Sequence, residues 1–167
     1  RLSGGALIGA EGWPVRLNLT GDIIDPSGDV VLLPLSGPKT FVNEVALDLQ
    51  YDQEISDDWT ASFTIFGYDR PGLYVEEIDL NGGGILRAGE GVDQTGEVTA
   101  NFTYAARGLD LDDPGTAQAF GDTITGVIQA RRVEDEPTFM DQLTLRGPGL
   151  EADLNAQIST SGKAIRI

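Results

Sequence analysis

The sequence predicts an all-β protein, because apolar residues recur at every second position over most of the chain. From residue 13 to residue 23 the odd positions are apolar or glycine, and Arg16, Asn18 and Asp22 are among the polar residues between them. Successive side chains of a strand point to opposite faces, so this period predicts strands with one apolar face. A long sheet of such strands must close on itself, meet a second sheet or hold an apolar guest.

The same alternation returns in segments 45–51, 59–65, 98–104 and 150–158. Pairs of alternating strands, within 44–67, 76–104 and 141–158, also resemble one another loosely. Self-similar units of a few tens of residues are typical of elongated proteins built from repeats. We therefore interpret residues 1–167 as a single fragment of a repeat-like β domain, with the hairpin as its unit.

One short helix is predicted between the strands, from Pro114 to Phe120. Asp112 and Asp113 offer an acidic N-cap, Pro114 suits the first turn, and Gly121 provides a C-terminal stop. Together with Asp110, the same acids also suggest calcium. However, their spacing lacks the central glycine and distal glutamate of a helix–loop–helix calcium site, so the cap is the better interpretation.

Composition excludes several functions. The chain has 27 acidic and 11 basic residues and a net charge of −16, so it would repel nucleic acid and anionic membrane surfaces. Cysteine and histidine are both absent, which removes disulfides, thiol nucleophiles, Cys/His zinc sites and histidine-based triads. We predict no enzymatic activity, no cofactor and no metal.

The glycine-rich stretch from Gly82 to Gly91 is followed neither by Lys-Ser/Thr nor by a helical pattern. It therefore does not predict a phosphate-binding loop, and turns explain its glycines. Aromatic residues such as Trp59 and Phe102 could stack on sugars. Most aromatic residues fall in phase with the aliphatic face, which favours a lining role.

The chain begins with Arg1 and has neither a visible signal peptide nor an apolar stretch of the roughly 20 residues that span a bilayer. We interpret it as a piece of a longer protein that does not itself insert into a membrane.

Three segments resemble TamB-like proteins of the AsmA-like group, from Gram-negative bacteria. They are Asp25-Pro26-Ser27-Gly28-Asp29 through Pro38, Trp59 through Gly72, and Asp113-Pro114 through Gly126. The resemblance spans most of residues 13 to 158 and rests on the style of the sequence rather than on catalytic residues.

This resemblance implies a long periplasmic β-structure whose parent is anchored in the inner membrane. Its antiparallel or mixed sheet would curl into an open, β-taco-like trough with an apolar interior. The implied function is that of a bridge-like carrier of phospholipid between the inner and outer membranes. The family is also linked with outer-membrane protein assembly, through a partner of the Omp85 type. The fragment would contribute a middle segment of the trough.

The predicted groove lining consists of apolar residues in phase with one another, whose expected ligands are phospholipid acyl chains. These residues are Trp13, Leu17, Leu47, Leu49, Trp59, Phe63, Ile65, Ile78, Leu80, Phe102, Leu143, Leu145, Leu154 and Ile158. Intervening polar residues are expected to face solvent. They are Arg16, Asn18, Asp48, Thr60, Thr64, Asp79, Asn101, Thr144, Asp153 and Asn155.

Two alternatives remain open. On the residues alone, a β-sandwich or closed barrel filled by its own side chains is favoured over a trough. Such a sandwich could bind carbohydrate or mediate adhesion. A third function is that of a scaffold whose free sheet edge pairs with an unfolded strand during β-barrel assembly.

Overall fold

A computed structural model describes residues 2–9, 12–34, 37–89, 96–159 and 164–166. Gly91 and residues 35–36 of the first family-like segment lie outside the described residues. The strands and the helix are β1 (Leu2–Ile8), β2 (Pro14–Ile24), β3 (Val31–Leu33), β4 (Thr40–Val42), β5 (Glu44–Asp52), β6 (Asp58–Arg70), β7 (Leu73–Arg87), β8 (Glu97–Leu111), α1 (Pro114–Phe120), β9 (Thr123–Val133), β10 (Thr138–Gly147), β11 (Leu150–Ile158) and β12 (Ala164–Arg166).

The strands form one open sheet in which every pairing is antiparallel. Its order is β1-β2-β5-β6-β7-β8-β9-β10-β11-β12, while the β3–β4 hairpin joins it through β4 and β6. From β5 onward, neighbours in the sheet are neighbours in the chain. The predicted all-β, open antiparallel architecture is therefore confirmed.

The predicted helix is confirmed at Pro114–Phe120. The carboxylate of Asp113 accepts the N–H of Thr116 at 2.7 Å, and Gly121 ends the helix with a φ of 66°. The Thr116 hydroxyl and N–H hold the pKa of Asp113 below its ordinary value. The N–H of Gly149 donates to Ala119 O at 2.9 Å, which ties α1 to the β10–β11 turn. We call this end of the sheet the helix end.

At the opposite end, the sheet curls so far that distant strands meet. Three strands separate β2 from β8, which corresponds to about 19 Å across a flat sheet at roughly 4.8 Å per strand. Nevertheless, the indole of Trp13, just before β2, lies against Gly96, just before β8. A Cβ added to Gly96 would lie 2.0 Å from Cζ2 of that indole. We call this end the tryptophan end.

A bend line crosses the sheet near the helix end. It is defined by Asn43, Gly67, Glu76 and Gly108, where Gly67 and Gly108 have φ values of 62° and 64°. Added side chains would overlap Asn43 at Gly67 and Glu76 at Gly108. Left-handed φ values are accessible to glycine without a steric cost, so the strands can bend there and remain paired.

The buried positions change parity at this line. In β7, Ile78 and Leu80 lie on the apolar face at even positions, whereas Leu73 and Val75 are the less exposed residues beyond the line. Among the most buried of the described side chains, Val42, Thr40 and Val75 lie on the helix-end side, whereas Tyr51 and Ala61 lie between the bend line and the tryptophan end. We call the helix-end group of Val42, Thr40 and Val75 the packed cluster.

Most of the sheet is not packed in this way. Among the described residues, Val42 is the one large side chain that is fully buried. The accessible surface is 10502 Å², whereas a compact monomer of 17.8 kDa would expose about 8,000 Å². Hence the open sheet leaves more surface exposed to solvent than a compact domain of the same mass does.

We expect Val42→Ala to lower the free energy of unfolding by about 2 kcal/mol, because it leaves a void in the packed cluster. Val30→Ala is the matched control, since Val30 is 55% exposed and should change stability by less than about 0.5 kcal/mol. Urea denaturation measures both values. Equal losses for the two variants would contradict the location of the packed cluster.

Candidate functional site: the apolar inner face

The register of the strands places the predicted lining residues on one face between the bend line and the tryptophan end. One row crosses the sheet as Leu19, Leu49, Ala61, Gly82, Phe102, Ile128, Leu143 and Leu154. A neighbouring row contains Leu47, Phe63, Leu80 and Tyr104. We call the face that carries these rows the inner face and the opposite one the outer face.

All of the predicted lining residues within strands share the parity of these rows. Trp13 precedes β2 and reaches the same end of the sheet through its contact with Gly96. These residues are half-buried, apart from Leu154 near the free edge, which is 45% exposed. The inner face is therefore apolar and continuous, and it is neither fully covered nor fully open to water.

Aromatic rings cross the inner face over glycines. The rings of Trp59 on β6 and Phe102 on β8 approach to 5.7 Å between centroids, over the glycines of β7. A side chain at Gly82, Gly83 or Gly84 would put its Cβ 1.9–2.1 Å from a neighbouring carbonyl oxygen. The three glycines thus allow close approach of the strands, and Gly82 and Gly84, which have inner-face parity, lie beside the rings.

The first of two equivalent cross-strand bridges starts at Trp59. Its indole N–H donates at 3.1 Å to the carbonyl of Thr99, two strands away. The hydroxyl of Thr99 in turn accepts the N–H of Ile85 at 2.9 Å. Although the carbonyl of Thr99 binds the indole, the amide of Ile85 therefore still has an acceptor.

The second bridge repeats this arrangement two strands further on. The hydroxyl of Tyr104 donates at 2.8 Å to the carbonyl of Thr144, and the hydroxyl of Thr144 accepts the N–H of Val127 at 2.8 Å. Gly126 lies beneath the ring of Tyr104, where a Cβ would clash with it. The recurrence supports a structural unit of two strands.

The prediction that Thr144 faces solvent is wrong. Thr144 is only 6% exposed, and its hydroxyl takes the place of a backbone acceptor for the N–H of Val127. Thr64 and Asp79 lie on the outer face as predicted but are half-buried and bonded to each other at 3.1 Å. The guanidinium of Arg107 binds Asp79 and holds the pKa of that carboxyl below its ordinary value.

The remaining polar set lies on the outer face. Arg16, Asn18, Thr60, Asn101, Asp153 and Asn155 are exposed, and Asp48 is half-buried. Outer-face arginines pair with carboxylates, as Arg16 does with Asp52 at 2.7 Å. Such exposed pairs contribute little to stability, so their main consequence is a polar outer surface.

Neither a metal centre nor a spanning helix is found among the described residues. No group of three or more Asp and Glu side chains there is placed to hold an ion. No helix of those residues has the length and apolarity needed to cross a bilayer.

Sequence reasoning missed part of this face. Strand β9 contributes Ile124, Ile128 and Ala130 to the inner face, followed by Arg132. The signal was present, since these residues occupy alternate even positions of β9. The glycine at position 126, beneath Tyr104, interrupts the apolar series and weakens it.

Burial raises the pKa of the Tyr51 and Tyr104 phenols above the ordinary value of 10.0. Above that pH the unfolded chain releases protons that the folded chain retains, so stability should fall as pH rises. We expect Tyr104→Phe to lose about 1 kcal/mol at pH 8, where it lacks the bond to Thr144. It should also show a shallower decline of stability above pH 10.

Tyr74→Phe is the control, because Tyr74 is 41% exposed. It should leave stability at pH 8 unchanged. Urea denaturation at pH 8 and above pH 10 measures both effects. An undiminished alkaline decline in Tyr104→Phe would contradict the role assigned to this phenol.

Comparison of the chain with protein-family models, with curated proteins and with solved structures finds no match.

Proposed function

We propose that the inner face is a groove that carries lipid acyl chains, and that the chain is a segment of a periplasmic bridge between the inner and outer membranes. The observation that carries this proposal is the continuous, half-exposed apolar face of a curled sheet that its own side chains do not fill. The activity is non-enzymatic carriage. The bridge and the periplasmic location, with a parent anchored in the inner membrane, rest on the resemblance to TamB-like proteins.

The physical case rests on the character of the contacts. Removing apolar surface from water contributes about 25 cal/mol per Å² and has no preferred direction. An acyl chain can therefore be held along the rows of Leu47, Leu49 and Phe63 and still slide past them. The acidic outer face, in a chain of net charge −16, keeps a protein with such a groove in solution.

A second candidate is a scaffold that pairs strands. Strand β1 is at the edge of the sheet, and Ser3 through Ile8 are exposed, including Leu7 at 57%. It carries no charged residue, so little opposes the addition of another strand. This would be the route to outer-membrane protein assembly with an Omp85-type partner.

Carbohydrate binding is less well supported. The rings of Trp59 and Phe102 are turned toward each other, and the indole N–H is already bonded to Thr99. Neither ring is a flat, free platform for a sugar.

The groove is tested by Phe63→Asp, which places a charge in the middle of the inner face. We expect the folded variant to lose phospholipid that co-purifies with the wild-type chain, because acyl chains do not pass a hydrated carboxylate readily. Mass spectrometry of extracted material measures the lipid. Circular dichroism and urea denaturation establish that the variant is folded.

Ser62→Asp is the matched control, since it adds the same charge one residue away on the outer face. It should retain the lipid. Wild-type chain that binds no lipid at all, or a well-folded Phe63→Asp that binds it normally, would contradict the groove. A co-purifying unfolded barrel peptide, lost on Leu7→Lys, would favour the scaffold instead.

A further inference from the structure

The inner face carries one charged side chain between the bend line and the tryptophan end, counting the described strand residues. This is Arg132, which pairs with Val98 across β8 and β9 and so has inner-face parity. The other inner-face positions of β9, at Ile124, Ile128 and Ala130, are apolar. A single positive charge at one end of an apolar groove suits an amphiphilic ligand, because the charge can bind its polar end while the groove holds its apolar part.

Arg132 lies at a cavity at the mouth of the groove. The cavity is lined by Trp13, Pro14, Val98, Arg132, Glu134 and Asp135, together with Gly12. It therefore forms where the curl brings the start of β2 against β8 and β9. The described lining residues thus combine apolar groups with one cation and two carboxylates.

Arg132, like Arg70, has no ion-pair partner among the described residues. Its chain neighbour Arg131, on the outer face, binds Asp141 at 3.2 Å and lies 4.4 Å from the centre of the Phe139 ring. Glu134, in the same cavity, accepts the N–H of Gly96 at 3.2 Å rather than pairing with Arg132. The guanidinium thus retains its donors for a ligand.

From this juxtaposition we infer that the cavity binds the headgroup of a zwitterionic phospholipid, such as a phosphoethanolamine, whose acyl chains occupy the proposed groove. The phosphate binds Arg132, whose planar guanidinium can donate two parallel hydrogen bonds to it. The ammonium binds Glu134 and Asp135, and the face of Trp13 provides a further site for a cation. The inference rests on the proposed lipid groove.

Charge balance selects this class of headgroup. Among the described residues, the lining carries one positive and two negative side chains, so a purely anionic headgroup would meet net repulsion from them. An uncharged headgroup would leave the guanidinium without an anion. A zwitterion with its phosphate and ammonium a few bonds apart satisfies both signs at once.

The test is displacement of a dansyl-labelled fatty acid from the groove by three ligands that share an oleoyl chain. These are lysophosphatidylethanolamine, lysophosphatidylglycerol and monooleoylglycerol, each below its critical micelle concentration. We expect the wild-type chain to bind the ethanolamine lipid about tenfold more tightly than the glycerol phospholipid, as charge-assisted hydrogen bonds of this kind allow.

Arg132→Gln should weaken binding of the ethanolamine lipid about tenfold and leave monooleoylglycerol unchanged. Arg131→Gln is the matched control, with the same change one residue away on the outer face, and should leave all three affinities unchanged. Asp135→Asn should lower the ratio of the affinity for the ethanolamine lipid to that for the glycerol phospholipid, because it removes one of the two carboxylates proposed to bind the ammonium. Glu136→Gln should leave that ratio unchanged.

The outcomes separate the two proposals. Binding of all three ligands without headgroup preference, or equal losses for all three in Arg132→Gln, would overturn the headgroup site and leave the groove standing. Failure of the wild-type chain to bind the dansyl probe or any of the lipids would overturn both.

Discussion

The structure depends on the close approach of strands at glycines that lie beneath aromatic rings. A sheet curls inward only where side chains on the concave face leave room for one another. At Gly82–Gly84 and at Gly126 no side chain stands between the strands, and the rings of Trp59, Phe102 and Tyr104 cross the space. Gly96 performs the same function for Trp13 at the end of the sheet. Curling brings apolar residues of distant strands near one another without packing them into a closed core.

The two threonine bridges show how the curl is reconciled with backbone hydrogen bonding. Turning the carbonyls of Thr99 and Thr144 toward the rings deprives neighbouring amides of acceptors, and a buried amide without an acceptor costs about 1–3 kcal/mol. The threonine hydroxyls accept those amides instead. Each bridge therefore satisfies its own displaced amide, so it can recur along the sheet without leaving a backbone group unpaired.

The period-two pattern was sufficient to predict the all-β fold and the face shared by most of the long strands, but it missed β9 and the part of the inner face that β9 contributes. Local capping signals at Asp113 and Gly121 were sufficient for the helix. The pattern could not predict the contact between Trp13 and Gly96, because that contact depends on the curl that accumulates across several strands. It also misplaced Thr144, since only the structure reveals a hydroxyl that substitutes for a backbone acceptor.

The position of Arg132 was missed for a related reason. Its parity in β9 could be derived from the sequence, but its position beside Trp13 could not. The bend line could be predicted only in part. The change of apolar parity between Val75 and Ile78 was visible in the sequence, whereas its alignment with Gly67 and Gly108 required the register.

An acyl chain can enter the inner face only if that face is apolar yet reachable from outside the protein. The chain contains no cysteine, so a single introduced thiol reports on one position. The most direct measurement is the rate at which Leu47→Cys, on the inner face, reacts with a small alkylating reagent, compared with Val42→Cys in the packed cluster. We expect Leu47→Cys to react much faster in the folded protein and added phospholipid to slow its reaction. A thiol at position 47 that is as unreactive as one at position 42, with or without lipid, would instead show that the inner face is a filled core.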